Sequence, residues 1–352
     1  MTSRLKSFLK QCKKCPEYKK RSSINLRVVV TDYIEPDLDW EEKQIAALGG
    51  ALKSYQLKSA TSANLAGVLS DAEVVIVNMA KINGSVLNEM KKCKLIIRHG
   101  VGYDNIDIPA ATEREIQVCY VPDYCADEVA EQAVMLLLAV YRKFGKQIDS
   151  MNSSIKKGEW DFSGMGGVKR VRGKKGGLIG CGRIGSRVLT IMRSLGLEVL
   201  VCDPYLTKQR QKELRVETLP LDKVISEADL ISIHCSLDDS TRHLIGEREL
   251  SLMKKDAVLV NTARGPLVDA KALANACREG RMAGAGIDVF ESEPPKENFE
   301  LIGLENVILT PHLSWFSEDA AWEIRKKIIE DVERYVKGKP PRFPLNKISA
   351  NG

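Results

Sequence analysis

The segment Gly177-Leu-Ile-Gly180-Cys-Gly182-Arg-Ile-Gly185 constrains the fold more than any other stretch of this chain. It follows a short apolar run, Gly176 to Ile179, and opens a helix-like segment, Arg183 to Leu195. A second apolar run, Leu197 to Cys202, ends on Asp203. Strand, glycine turn, helix, strand and acid stand in the order that a dinucleotide site requires. Gly180 permits the tight turn, Gly182 lets backbone approach a pyrophosphate, and Gly185 lets helix and strand pack closely. The helix N-terminus offers unpaired N–H groups and a partial positive charge to phosphates. Asp203, 18 residues past Gly185, sits where a carboxylate accepts the hydroxyls of an adenosine ribose. An acid there repels a 2′-phosphate, so the reading is NAD rather than NADP.

At 352 residues the chain has room for two cores of ordinary size. Its net charge of +6 is unevenly placed: residues 1–27 carry +8 and the other 325 carry −2. The body is therefore close to neutral, and a general affinity for nucleic acid is not expected. No apolar run approaches the ~20 residues of a membrane span. Nine cysteines are scattered, mostly within apolar runs, and no secretory signal stands at the start. The expectation is reduced thiols in the cytoplasm. The basic leader reads as a frayed extension, with a weak interfacial helix or transit-like segment as the alternative. Cys12-Lys-Lys-Cys15 has metal-ligand spacing, but no second Cys or His pair completes a zinc site, so no metal is expected.

Strand-like runs lie at Arg27–Thr31, Glu73–Asn78, Lys94–His99 and Ile116–Tyr120. Helical stretches lie between them, near Trp40–Leu48, Gly84–Met90 and Ile106–Arg114. Such alternation predicts an α/β unit with a parallel sheet covered on both faces. Asp127 to Phe144 reads as a helix with a wide apolar face, which suggests burial between domains or subunits. A Gly- and Lys-rich loop, Ser153 to Lys175, precedes the glycine turn. A second series follows: Leu197–Cys202, Asp229–His234, Asp256–Asn261, Gly284–Asp288 and Asn306–Leu309. The last helix, Glu318 to Val336, is expected to return to the first unit, with Pro340, Pro341 and Pro344 ending ordered structure. The chain after Val336 is too short for a regulatory core of its own. The fold class is α/β, with two doubly wound parallel-sheet domains.

Three segments fall at the carboxyl ends of strands in the second series, where doubly wound sheets bind ligands. They are Val260 to Asp269, which holds Arg264; Gly286 to Pro295, which holds Glu293; and Thr310 to Trp315, which holds His312. A 2-hydroxy acid that loses hydride must also lose its hydroxyl proton. His312 can take and return that proton, because an ordinary histidine titrates near neutrality. Glu293 can hold the imidazole in one tautomer and favour its charged form. Arg264 can polarise the carbonyl and pair with a carboxylate through its planar fork. Of the other three histidines, His234 lies inside an apolar strand, His243 reads as structural in a helical turn, and His99 could line a cleft. The loop His99-Gly100-Val101-Gly102-Tyr103-Asp104-Asn105 offers backbone N–H groups that can grip a carboxylate, with a plain turn as the alternative.

Together these residues resemble the NAD-dependent D-isomer 2-hydroxyacid dehydrogenase family, over about residues 26–340. The resemblance implies that Arg264, Glu293 and His312 are catalytic and that Val101 and Gly102 hold the substrate carboxylate by backbone. It implies NAD contacts at Gly180, Gly182, Arg183, Ile184, Gly185, Asp203, Thr262 and Asp288. It divides the chain into a basic extension (1–24), a flavodoxin-like substrate domain (25–122, completed by 313–340), a Rossmann NAD-binding domain (123–312) and a tail (341–352). The family dimerises through its coenzyme domain, so a homodimer is expected. Val121-Pro-Asp-Tyr-Cys-Ala-Asp-Glu-Val129 and Pro311-His-Leu-Ser-Trp315-Phe-Ser-Glu318 are similar to the branch that contains the C-terminal-binding-protein corepressors and many bacterial dehydrogenases. On that likeness Trp315 would flank a bulky or apolar 2-oxo acid, with core packing as the alternative. The chain departs from the family at Gly176, where a large apolar residue is usual, and at Cys235-Ser-Leu237, where proline is usual. The expected function is oxidoreduction of a small 2-hydroxy or 2-oxo acid. The alternative is an NAD(H)-sensing, corepressor-like binding protein.

Overall fold

The computed structural model describes residues 26–161 and 163–348. The leader and its Cys12/Cys15 pair lie outside the described residues. The chain divides into two compact units: one of residues up to 97, 106–119 and from 329 onward, the other of residues 98–105 and 120–328.

In the first unit the strands are β1 (Leu26–Val30), β2 (Gly50–Ser54), β3 (Val74–Val77), β4 (Leu95–Arg98) and β5 (Gln117–Tyr120), in sheet order β2-β1-β3-β4-β5. This is the flavodoxin-like doubly wound order. Four short helices link them: α1 (Asp39–Ala47), α2 (Ser62–Leu69), α3 (Gly84–Glu89) and α4 (Ile108–Glu113). β3 is buried along its whole length, as a strand covered on both faces must be. β2 and α2 have no counterpart in the sequence reading. β2 (Gly-Ala-Leu-Lys-Ser) is an edge strand that alternates half-buried and exposed residues, so it shows no apolar run.

The predicted tail is corrected by the structure. Beyond Pro341 the chain runs back along β5, forming an antiparallel bridge between Pro344 and Cys119. The Leu345 N–H donates to the Val118 carbonyl at 2.8 Å. The Asn346 side chain accepts from the Val118 N–H at 2.8 Å and donates to the Ile116 carbonyl at 2.9 Å. Arg342 pairs at 3.1 Å with Asp331, which is wholly buried. Proline does not end order here, because an edge strand tolerates its missing N–H.

The second unit carries β6 (Lys175–Ile179), β7 (Glu198–Cys202), β8 (Leu230–Ile233), β9 (Val258–Asn261), β10 (Gly284–Ile287) and β11 (Val307–Leu309), in order β11-β10-β9-β8-β6-β7. Every pair is parallel. A further parallel bridge joins Thr218 to Val201 outside β7. Counting it as a strand gives the Rossmann order, with β11 added at the far edge.

The second unit also holds α5 (Ala126–Tyr141), α6 (Phe144–Lys157), α7 (Arg183–Ser194), α8 (Lys208–Leu214), α9 (Leu221–Glu227), α10 (Glu247–Leu252) and α11 (Ala270–Arg278). α12 (Glu318–Val336) starts in this unit and ends in the first. α5 ends at Tyr141, three residues short of the predicted end, because Lys143 takes a left-handed backbone (φ 54°) and starts α6. The apolar face of α5 is spent within its own unit: Ala133, Leu136, Leu137 and Val140 join one core with Leu178, Val188 and Val260. Burying leucines such as Leu136 and Leu137 contributes about 1.5–3 kcal/mol each.

The departure at Gly176 also has a packing cause. A Cβ there would stand 3.0 Å from the Met192 sulfur of α7, and one on Gly177 would stand 2.8 Å from the Ala228 Cβ beyond α9. The volume that a large strand residue would fill is supplied by Met192 from the helix. Among the described residues, no helix is long and apolar enough to cross a membrane.

Candidate active site

The glycine turn joins β6 to α7. Gly180 has φ +88°, and a Cβ on it would lie 2.6 Å from the Cys235 nitrogen and 2.7 Å from the His234 carbonyl. A Cβ on Gly185 would lie 2.2 Å from the Gly180 oxygen, so the first turn of α7 sits directly on the strand end. Gly182, the N-cap of α7, is different: apart from its chain neighbours, no described residue lies within 4 Å of where its Cβ would be. Two glycines therefore serve packing, and the third leaves open space at a helix N-terminus. Arg183 and Ile184 are the first two residues of that helix.

Asp203 follows β7. One carboxylate oxygen accepts the Cys181 N–H at 2.8 Å and the other the Tyr205 N–H at 3.0 Å, so it fixes the glycine turn. Just past β9, the Thr262 hydroxyl is enclosed and, among the described residues, has no hydrogen-bond partner. An unmade bond of this kind costs about 1–3 kcal/mol, which a bound polar group removes. Open space at Gly182, a helix N-terminus, a fixed acid and an orphaned hydroxyl all fit a dinucleotide.

Asp288, expected among the cofactor contacts, is also tied into the protein. Its carboxylate is completely buried and accepts from the Thr310 hydroxyl, the Leu313 and Ser314 N–H groups and the Ser314 hydroxyl. It anchors the loop that carries His312.

His312 has a left-handed backbone (φ 54°), and its N–H donates to the Asp288 carbonyl at 2.8 Å. Its Nδ1 lies 2.8 Å from Glu293 Oε2, while Glu293 Oε1 accepts the Phe290 N–H at 3.1 Å. Both carboxylate oxygens are thereby engaged, and among the described residues the imidazole Nε2 has no hydrogen-bond partner. Burial pushes the Glu293 pKa up, but the His312 hydrogen bond and charge, the Phe290 N–H and the Arg264 charge together hold it below the ordinary carboxylate value. Glu293 is thus ionised and lies within electrostatic reach of Arg264.

Arg264 is held in three ways. Its Nε donates to Asp104 at 2.9 Å, its Nη1 donates to the Ala263 carbonyl at 2.8 Å, and its Nη2 lies against Gly102. A Cβ on Gly102 would fall 0.9 Å from Nη2, so a side chain at 102 and Arg264 in this pose exclude one another. Burial also raises the Asp104 pKa, but the Arg264 charge and hydrogen bond outweigh it and keep the carboxyl ionised. The structure thus brings Arg264, Glu293, His312 and Gly102 into one linked site. Val101 is half-buried beside them. Trp315 packs with Tyr124 (ring centroids 6.4 Å apart) and Phe316 (5.3 Å). His234 is bonded to the buried Ser232 hydroxyl at 2.8 Å, and burial pushes its pKa down to about 3, so it is neutral. Asp104 was not singled out from sequence: 160 residues separate it from Arg264, and no local signal joins them.

Residues 134–314 match the family profile described as D-isomer specific 2-hydroxyacid dehydrogenase, NAD binding domain. The D-3-phosphoglycerate dehydrogenase of Methanocaldococcus jannaschii is 39% identical over 297 residues, covering 82% of this chain and 56% of that one. The glyoxylate reductase of Thermococcus litoralis is 37% identical, covering 79% of this chain and 84% of that one. This chain belongs to the D-isomer specific 2-hydroxyacid dehydrogenase family. Its NAD-binding domain holds the glycine turn, Asp203, Thr262, Arg264, Glu293 and His312. Among solved structures, the D-lactate dehydrogenase of Aquifex aeolicus complexed with NAD and lactic acid superposes with a TM-score of 0.79 at 29% identity, covering 88% of this chain and 96% of that one. The chain spans little more than half the length of the phosphoglycerate dehydrogenases that it matches. These relatives carry the names of enzymes, which does not favour the corepressor-like alternative.

Proposed function

We infer that this family member is an NAD-dependent oxidoreductase that interconverts a D-2-hydroxy acid and its 2-oxo acid. The observation that carries the reading is the His312–Glu293 pair at 2.8 Å, with an imidazole Nε2 that no group among the described residues hydrogen-bonds. When bound, the nicotinamide supplies or accepts the hydride. In the reductive direction His312 Nε2–H gives its proton to the carbonyl oxygen as the hydroxyl forms; in the oxidative direction Nε2 takes that proton back. Ionised Glu293 keeps the other proton on Nδ1 and favours the imidazolium that precedes proton donation. Arg264, fixed by Asp104, polarises the carbonyl and pairs with the substrate carboxylate. The Val101 and Gly102 N–H groups hold that carboxylate from the other side. The Thr262 hydroxyl, the N-terminus of α7 with Arg183 and Ile184, and Asp203 bind the NAD. Trp315, backed by Tyr124, would line the acid's side-chain pocket.

The test is NADH consumption by purified protein across glyoxylate, pyruvate, 3-phosphohydroxypyruvate and bulky apolar 2-oxo acids. Turnover on one class supports the reading and defines the pocket. Tight NADH binding without turnover on any of them would overturn it in favour of the sensor.

A homodimer belongs to the same reading. α6 has no buried residue, and Phe144, Ile148, Met151 and Ile155 form an exposed apolar stripe one helical face wide. A second copy covering this stripe explains why it is apolar. On that account Ile148→Asp with Ile155→Asp yields monomers in sedimentation, whereas an unchanged mass would remove α6 from the interface.

A further inference from the structure

A second imidazole–carboxylate pair stands beside the first, and the function proposed above makes no use of it. His243 Nε2 lies 3.1 Å from Glu291 Oε1, with both side chains 43% exposed. His243 shares with His312 a left-handed backbone, at φ 50°. This conformation is uncommon for a non-glycine residue, although histidine adopts it more readily than most. It persists where surrounding contacts over-determine it.

Those contacts run to both arms of the candidate site. The His243 N–H donates to the Pro266 carbonyl at 2.7 Å, two residues past Arg264, and the Ile245 N–H donates to the Leu267 carbonyl at 3.0 Å. The His243 ring reaches the loop that carries Glu293. The two arms also touch directly, since a Cβ on Gly265 would stand 2.1 Å from the Phe290 carbonyl carbon and 2.5 Å from the Glu291 nitrogen. Phe290, pinned by an edge-on contact with Phe299, is the residue whose N–H holds Glu293 Oε1. A line of contacts therefore runs from the Arg264 turn through His243 to Glu291, on to the Phe290 N–H and so to Glu293 and His312.

We propose that His243 and Glu291 form a strut that positions Glu293, and through it the His312 imidazole, relative to Arg264. Neither residue touches substrate; both act by holding the 290–293 loop on the Arg264 turn. The proposal rests on the acid–base reading of His312, and its primary test does not need turnover.

The chain has four histidines, so ring-carbon NMR of the full-length protein can follow each one, with His312→Ala identifying the His312 signal. Glu293→Gln sets the full drop in the His312 pKa that follows loss of the ionised partner. If the strut positions Glu293, then Glu291→Ala and His243→Ala each lower the His312 pKa by a measurable part of that drop. Simple electrostatics predicts the opposite sign for His243→Ala: leaving the Glu291 carboxylate without its hydrogen-bond partner raises the pKa of a neighbouring imidazole. His243→Gln keeps a donor toward Glu291 and restores the wild-type value. In turnover, the two alanine variants lose roughly three- to fivefold in kcat, the scale of an exposed pair, with NADH affinity unchanged.

A His312 pKa that stays put or rises in either alanine variant overturns the proposal, even if the melting temperature falls. Should His243→Ala fail to fold, His243→Asn decides in its place, because asparagine tolerates a left-handed backbone and its shorter side chain draws back from Glu291. Should His312→Ala keep full turnover, it is the acid–base reading that fails, and the NMR result still judges the strut.

Discussion

Gly102→Ala tests how the carboxylate-binding loop and Arg264 are built into one another. A methyl group at 102 would sit 0.9 Å from Arg264 Nη2 and 2.2 Å from its guanidinium carbon. Ordinary contact begins near 3.4 Å, so Nη2 must retreat by about 2.5 Å. A movement of that size also breaks the 2.9 Å hydrogen bond from Nε to Asp104, because both atoms belong to one rigid guanidinium. Misplacement by ~1 Å costs up to ~10²-fold in rate, and loss of one preorganised electrostatic donor costs ~10²–10³-fold. We therefore expect kcat/KM to fall about 10²–10³-fold. The displaced group is a half-exposed side chain and the glycine turn is untouched, so the melting temperature and NADH affinity should hold. Steady-state kinetics, NADH fluorescence titration and thermal unfolding on the same preparation check all three. Kinetics within threefold of wild type would refute the claim that Arg264 in this pose serves the reaction.

The other predictions are briefer. Thr262→Val removes the orphaned hydroxyl: stability without NADH should be unchanged or slightly higher, while NADH affinity falls about five- to twentyfold, the loss of one good hydrogen bond. Equal NADH affinity would show that this hydroxyl meets no cofactor. Glu293 has a depressed pKa in the folded state, so its stabilising contribution is complete above the ordinary value of 4.5 and is lost as pH falls through the folded value. The difference in stability between wild type and Glu293→Gln, followed by denaturant unfolding from pH 5.5 downward, should hold to about pH 4.5 and then shrink; a gap that widens with acid would contradict the assignment.

The legible parts of this protein were those in which one local segment does one local job. Gly180 and Gly185 are dictated by contacts within the turn itself, and Gly182 by the space outside it, so their spacing alone announced the site. The bounds of α12 agree with the sequence reading because its apolar residues repeat at helical period along the whole element. Roles that depend on distant partners were not legible. Asp104 becomes a site residue only when the fold brings it to Arg264. Asp288 stands at a strand end as a cofactor contact would, and its further task of holding the His312 loop shows only in the fold. The wide apolar face after Asp127 was expected to lie between domains or subunits, but α5 covers the sheet of its own unit. The exposed stripe belongs to α6, whose apolar residues are diluted among Lys, Ser and Asn.

The central claim is that His312 moves the proton while other residues bind the cofactor. His312→Ala tests it most directly, with NADH binding and turnover measured on one sample against the preferred 2-oxo acid. The account predicts unchanged NADH affinity and a loss of turnover of about 10²–10⁴-fold, the usual contribution of a positioned acid–base group. Turnover that survives with NADH affinity intact would contradict it, and the proton would then have to come from elsewhere in the site.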